Sequence, residues 1–265
     1  REPARRCAPK IRCVSKSATR AQALPYNRHM FIYDAQVHIW GPNTPERPWR
    51  VGRKPVTNRT VPLGRIELLR EMDAAGVSRA VLVPPGFDLD RNDLILEAAQ
   101  LHPDRFAAMG RLDTMAPGAR DRVATWRDRP GRLGLRFSFN RPSLIPALTE
   151  GRVDWLWEEA EKAGVPVMVL VPHALVRLMD QIAERHPGLK LALCHLGLPT
   201  EKQDEEAFRD FDQLLLIARR PNVTVKASGL PSYTTSEYPF RCLHPYLRRV
   251  YDAFGPRRIF WGTDF

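Results

Sequence analysis

From residue 31 onward, short apolar runs alternate with longer stretches in which apolar residues return every three or four positions. The short runs lie at 31–40, 79–84, 105–112, 132–139, 165–172, 189–196, 222–229 and 257–265, and their length and composition predict eight strands. The longer stretches predict amphipathic helices. Leu63, Ile66, Leu69 and Met72 mark the first of them, and Leu175, Leu178, Ile182 and Ala183 the fifth. Phe208, Phe211, Leu214, Leu215 and Ala218 mark the sixth, and Leu243, Tyr246, Leu247, Val250, Tyr251 and Phe254 the seventh. Exits such as AAGVSR, ERHPGLK and RRPNV put Gly or Pro just past a helix and run straight into the next strand. Strands and helices in strict alternation predict parallel pairing through right-handed crossovers, and eight such strands close most economically as an α/β (β/α)8 TIM barrel. The sequence stops after the eighth strand, so the barrel reads as cut off there, with residues 30–265 lacking the last helix and residues 1–29 forming a basic, irregular tail.

Composition sharpens this picture without redirecting it. The formal charge of +11 points toward nucleic acid until its placement is examined. Residues 1–29 carry eight Lys or Arg against Glu2, a surplus of seven, which leaves +4 for the other 236 residues. Those residues interleave both signs, as a solvated surface does, so neither nucleic acid nor a membrane is expected as partner. No apolar run is long enough to span a bilayer, and residues 1–29 lack the apolar stretch of a secretory signal. The four cysteines do not form a disulfide framework for a chain of this size. Cys194, beside His195 in an apolar run, is expected to be reduced and to pack outward if His195 faces inward, which suits a cytoplasmic setting. A homo-oligomer stays open.

In such a barrel the reacting groups come from the carboxyl ends of the strands, where the connecting loops form the concave face. The first strand ends in DAQVHIW, whose Gln36 and His38 stand two apart and so face one side. DAQVHIW, LALCHLG, VKASGL and WGTDF together resemble, in order and spacing over about residues 31–265, the amidohydrolase superfamily, in the amidohydrolase-2 branch that holds sugar lactonases and 2-pyrone-4,6-dicarboxylate lactonase. The resemblance implies a hydrolase acting on a lactone or similar carbonyl compound that carries an acidic group. It makes His38 and His195 the groups that polarise the carbonyl, and Asp264 the base that activates water. Arg136, in LGLRFSF, would bind a substrate carboxylate through its two-pronged guanidinium. The same resemblance implies a divalent metal, zinc first, on His38, His195 and Asp264. Gln36 stands where the family usually has a histidine, and an amide is a poor neutral ligand, so a metal is expected to be held weakly or not at all and metal-independent action is also open.

The remaining candidates are weaker. His173 follows the fifth strand, and either lines the substrate site or starts a helix. Lys226 lies within the seventh strand on the same face as Ser228 and is expected in the wall of the pocket. Trp49, Arg50 and Arg53 sit on a loop over residues 41–62, too long for a simple connector, that either lines the pocket or covers it. His102 and His186 are expected to end helices. Two alternatives remain: nonoxidative decarboxylation of an aromatic acid on the same fold, and a binding barrel without catalysis.

Overall fold

The computed structural model describes residues 30–51, 59, 61–88, 90–140 and 144–265. The basic tail at 1–29 and part of the 41–62 loop, Arg53 included, lie outside the described residues. Phe31–Phe265 forms one compact unit.

Eight parallel strands follow one another round a single sheet in chain order. They are β1 Tyr33–Val37, β2 Arg79–Leu82, β3 Phe106–Gly110, β4 Arg132–Ser138, β5 Val167–Leu170, β6 Leu191–Leu193, β7 Val223–Ser228 and β8 Ile259–Gly262. Each lies inside its expected window. The helices outside them are α1 Arg65–Ala75, α2 Asp93–Leu101, α3 Ala119–Ala124, α4 Ile145–Thr149, α5 Asp154–Lys162, α6 Val176–Arg185, α7 Asp204–Ala207, α8 Asp212–Leu216 and α9 His244–Phe254. The result is a nearly closed (β/α)8 barrel. Outward residues such as Leu135, Val167, Val169, Leu191, Leu193, Val223 and Val225 pack under the helices, while Met109, Met168 and Cys194 gather in a separate apolar cluster.

The first and last strands are fastened at their carboxyl ends. Asp264 N donates to Gln36 O at 2.9 Å and His38 N to Phe265 O at 2.8 Å. The buried Asp34 carboxylate accepts from Thr263 N at 3.0 Å, from Thr263 Oγ1 at 2.5 Å and from Gln36 N at 2.9 Å. That last bond falls where the β1–β2 register shifts, between Asp34 and Val37. Gly262 lies in the seam, where a Cβ would sit 3.0 Å from Gln36 N and 3.1 Å from Ser228 Cβ.

Three expectations are corrected by packing. The sixth helix is broken into α7, α8 and a 3-10 turn over Ile217–Arg219. At the break, the rings of Phe208 and Phe211 turn under Tyr246, with centroids 3.9 and 5.2 Å away. In α1 the inner face is rotated: Leu68 and Met72 are buried, and Ile66 is exposed. Cys194 is buried and free as expected but joins the cluster of Val83, Met109 and Met168 rather than the layer under the helices. Strand alternation ends at Leu193, so it does not govern the next two residues. His102 and His186 do end helices, as the caps of α2 and α6.

Candidate active site

His38, His195 and Asp264, far apart in sequence, come together at the carboxyl end of the barrel. Asp264 Oδ1 lies 3.1 Å from His38 Nε2 and 3.7 Å from His195 Nε2. Two of these residues sit on strained backbone. His195 (φ 51°) and Leu196 (φ 53°) lead into Gly197 (φ 67°), and Asp264 has φ 60°. A non-glycine residue in this left-handed region costs roughly 1–3 kcal/mol, so the surroundings must hold it there. The clasp of Asp34 on Thr263 does so for Asp264. At His195 the turn is held by His173, whose Nε2 donates to Leu196 O at 3.0 Å.

Hydrogen bonds divide the two imidazoles between roles. His195 Nδ1 faces Ser228 O at 3.1 Å and Ser228 Oγ at 3.0 Å, so it carries the proton. Its Nε2 then presents a lone pair, which accepts from Gln36 Nε2 at 3.1 Å. Burial draws the His195 imidazole down to about 4, so it is neutral at working pH. His38 differs, because Nδ1 faces Val83 O at 2.6 Å while Nε2 faces the Asp264 carboxylate. The Asp264 carboxylate only accepts, so His38 Nε2 meets it as a donor. For Asp264, burial alone would raise the carboxyl; the hydrogen bond and charge of His38, with Arg136, outweigh it and hold it below the usual range.

Gln36 and Lys226 lie fully buried beneath this cluster. Lys226 Nζ donates to Gln36 Oε1 and contacts Met168 Sδ at 3.4 Å. The amide group of Gln36 donates onward to Asp264 Oδ1 as well as to His195. Burial pulls the Lys226 ammonium down to about 8, so it stays charged near neutrality. Arg136, only 5 % exposed, adds a second inward cation. Its buried Nε has no partner among the described residues. Burial pushes the Tyr233 phenol up, which keeps its proton on beside Asp264.

The donors that a divalent cation would need here are His38 Nε2, His195 Nε2 and Asp264 Oδ1. Among the described residues no group of three or more His, Cys, Asp or Glu is arranged to hold a metal. The Gln36 amide nitrogen, which carries protons and no lone pair for a metal, bonds to two of those three donors.

Two expected pocket residues do other work. His173 is spent on the Leu196 carbonyl and packs its ring edge-on to Phe211, 6.3 Å away, so it supports the turn that aims His195. Trp49 donates its Nε1 to Gly41 O at 3.1 Å and packs against Phe87 at 5.1 Å. Arg47 ties the same loop to the β2–α2 connection, with Nη2 2.6 Å from Asp88 and Nη1 2.6 Å from Asp93. Arg50 joins this attachment through its main chain, N to Phe87 O at 2.8 Å. Asp34 and Tyr233 were missed in the sequence. The step of two from Asp34 to Gln36 to His38 could have found the first; no periodicity marks the second.

The sequence model of the Amidohydrolase family matches residues 33–265. The chain belongs to the amidohydrolase family. It is similar to the 4-sulfomuconolactone hydrolase of Hydrogenophaga intermedia, 26% identical over 241 residues that cover 88% of this chain and 74% of the relative. The L-fucono-1,5-lactonase of Burkholderia multivorans is likewise 26% identical, over 88% of this chain and 81% of its own. Among solved structures, a B. multivorans amidohydrolase with HEPES bound has a TM-score of 0.72 at 21% identity, covering 89% of this chain and 85% of that one. A second crystal form with zinc bound gives 0.69 at 22% identity, over 89% and 84%. The family and the hydrolases among its relatives favour an enzyme over the non-catalytic barrel.

Proposed function

We propose that this amidohydrolase opens a lactone that carries an anionic group, with Asp264 receiving a proton from the attacking water and Arg136 binding the substrate anion. The observation that carries the reading is the buried Arg136 guanidinium, without a carboxylate partner among the described residues, in the same electrostatic neighbourhood as Asp264 and His195. A buried cation left unpaired is costly, and a substrate carboxylate would complete it. Both curated relatives are named for lactones, which supports the substrate class.

The hydrogen bonds refine the expected chemistry. His195 offers a lone pair, so it cannot polarise a carbonyl; that part falls to the protonated face of His38. Asp264 is ionised but held as a weak base at rest. A substrate anion that enters and expels water raises its proton affinity at the moment a proton must be taken. A metal, where present in this fold, would polarise the carbonyl and the attacking water. The residues here do not fit one, and no step above depends on it.

The test is a panel of lactones with and without a carboxylate, followed by proton release and by carbon dioxide detection. Asp264→Asn is expected to lower kcat at least about 100-fold with little change in KM, since it keeps the shape and removes the acceptor. Arg136→Met is expected to raise KM for carboxylated lactones and to spare neutral ones. Carbon dioxide release from an aromatic acid would establish the decarboxylase alternative instead, and wild-type turnover by Asp264→Asn would refute the assignment.

A further inference from the structure

Lys226 and Gln36 form a buried pair that the hydrolytic reading does not use, and their orientation has a chemical consequence. A carboxamide can offer its oxygen to a cation, but the Gln36 oxygen is turned away from the reacting cluster and onto the Lys226 ammonium. The amide protons therefore point at His195 Nε2 and Asp264 Oδ1. These are two of the three atoms that would have to ligate a metal, and both lone pairs are already engaged. Rotating the amide to present its oxygen would set NH2 against NH3⁺, two donors face to face in a buried site. The ammonium would also remain buried beside the incoming dication, with Met168 Sδ as its other neighbour and, among the described residues, no carboxylate in direct contact. Arg136 adds further positive charge from β4.

We propose that Lys226 locks Gln36 with its amide protons inward, and that this pair excludes a divalent cation from between His38, His195 and Asp264. The lysine charge and the two amide N–H bonds take over the cation's part in holding the Asp264 carboxylate and the His195 lone pair in place. Lys226 is thus a positioning residue that acts through Gln36. The inference rests on reading the His38–His195–Asp264 cluster as the reacting centre, but it concerns what that centre can bind rather than which lactone it opens.

Cobalt(II), whose visible absorption reports coordination, is the probe, together with zinc content after dialysis. The variants are Lys226→Met, Lys226→Arg, Gln36→His and the double variant Gln36→His/Lys226→Met. Wild type and Lys226→Arg are expected to show no stoichiometric cobalt bands. Lys226→Met, which frees the amide and removes the charge, is expected to bind cobalt roughly 10- to 100-fold more tightly than wild type, the range typical of residues supporting a metal's ligands. The double variant is expected to bind most tightly, with tetrahedral bands. Thermal unfolding checks that each variant folds, and Lys226→Gln serves as the neutral variant if Lys226→Met does not.

One equivalent of cobalt taken up by wild type overturns the proposal, and so does a neutral variant that binds no better than Lys226→Arg. Turnover of wild type adds a separate reading. Loss of lactone hydrolysis under chelator, restored by zinc, refutes the metal exclusion while leaving the lactonase reading intact. Absence of any lactone turnover refutes the lactonase reading while the cobalt titration still decides this one.

Discussion

His195 and Asp264 owe their position to neighbours that do no chemistry. The left-handed run from His195 to Gly197 is closed by Leu198 N on the His195 carbonyl and tied from outside by His173 on the Leu196 carbonyl, and burial keeps the His173 ring neutral, with its proton available at Nε2. His173→Phe is therefore expected to reduce kcat about 10-fold while leaving KM nearly unchanged, because the turn that aims His195 loses its tie. The freed buried carbonyl should also cost roughly 1–3 kcal/mol of stability. His173→Gln, which can still donate, should recover part of both in steady-state kinetics and thermal melts. Equal loss in the two variants would count against the tie. The two-residue strand period made Gln36, His38 and Lys226 legible in the sequence, while His195, Asp264 and Arg136 were marked by the resemblance of LALCHLG, WGTDF and LGLRFSF to the family's motifs. The direction of the Gln36 amide and the duty of His173 were not, because both depend on partners 190 and 23 residues away.

At the scale of elements, the eight strands were legible because each is a short apolar run bounded by turn residues. Helix faces were less so, since the core selects among near-equivalent apolar positions: α1 buries Leu68 and leaves Ile66 at the surface. In α6 the inner face contains a charged residue, Asp180, that hydrophobic periodicity does not reveal. It pairs with Arg220 Nε at 2.7 Å and with Arg219 Nη2 at 2.5 Å, tying α6 to the turn that follows α8. The Arg220 hydrogen bond leads in drawing the Asp180 carboxyl down to about 2. A carboxylate with a depressed folded-state pKa stabilises the fold above its unfolded value, and that contribution is lost as pH falls from about 4 toward 2. Asp180→Asn is expected to cost roughly 1–2 kcal/mol at pH 7, after allowance for the exposed Arg219. At pH 3 the gap between wild type and variant should narrow in denaturant titrations. A constant gap across that range would mean that the pair contributes through shape rather than charge.

For the whole molecule, the cations of the site, Lys226 and Arg136, are buried within the barrel rather than displayed on its surface. Part of the outer surface is apolar. Trp261 shares a face with its register partner Ala227, outward from the barrel, and is 49 % exposed. It lines a groove with Ala227, Leu230, Phe240, Leu243 and Leu247, between β8 and α9. Tyr33 on β1 and Tyr251 on α9 are about half exposed as well. An exposed apolar groove of this kind binds apolar dyes and favours association of chains. The 265-residue chain is therefore expected to enhance the fluorescence of a hydrophobic dye and to show concentration-dependent sedimentation. Trp261→Gln together with Leu247→Gln should reduce both, because each replaces apolar lining with a group that prefers water. The groove reaches Gly262 and Thr263 but is not lined by Asp264, His38 or His195, so dye binding should persist when the site is filled by a carboxylated lactone. Dye displaced by such a lactone, or a double variant that sediments and fluoresces like wild type, would show that the apolar surface responsible lies elsewhere.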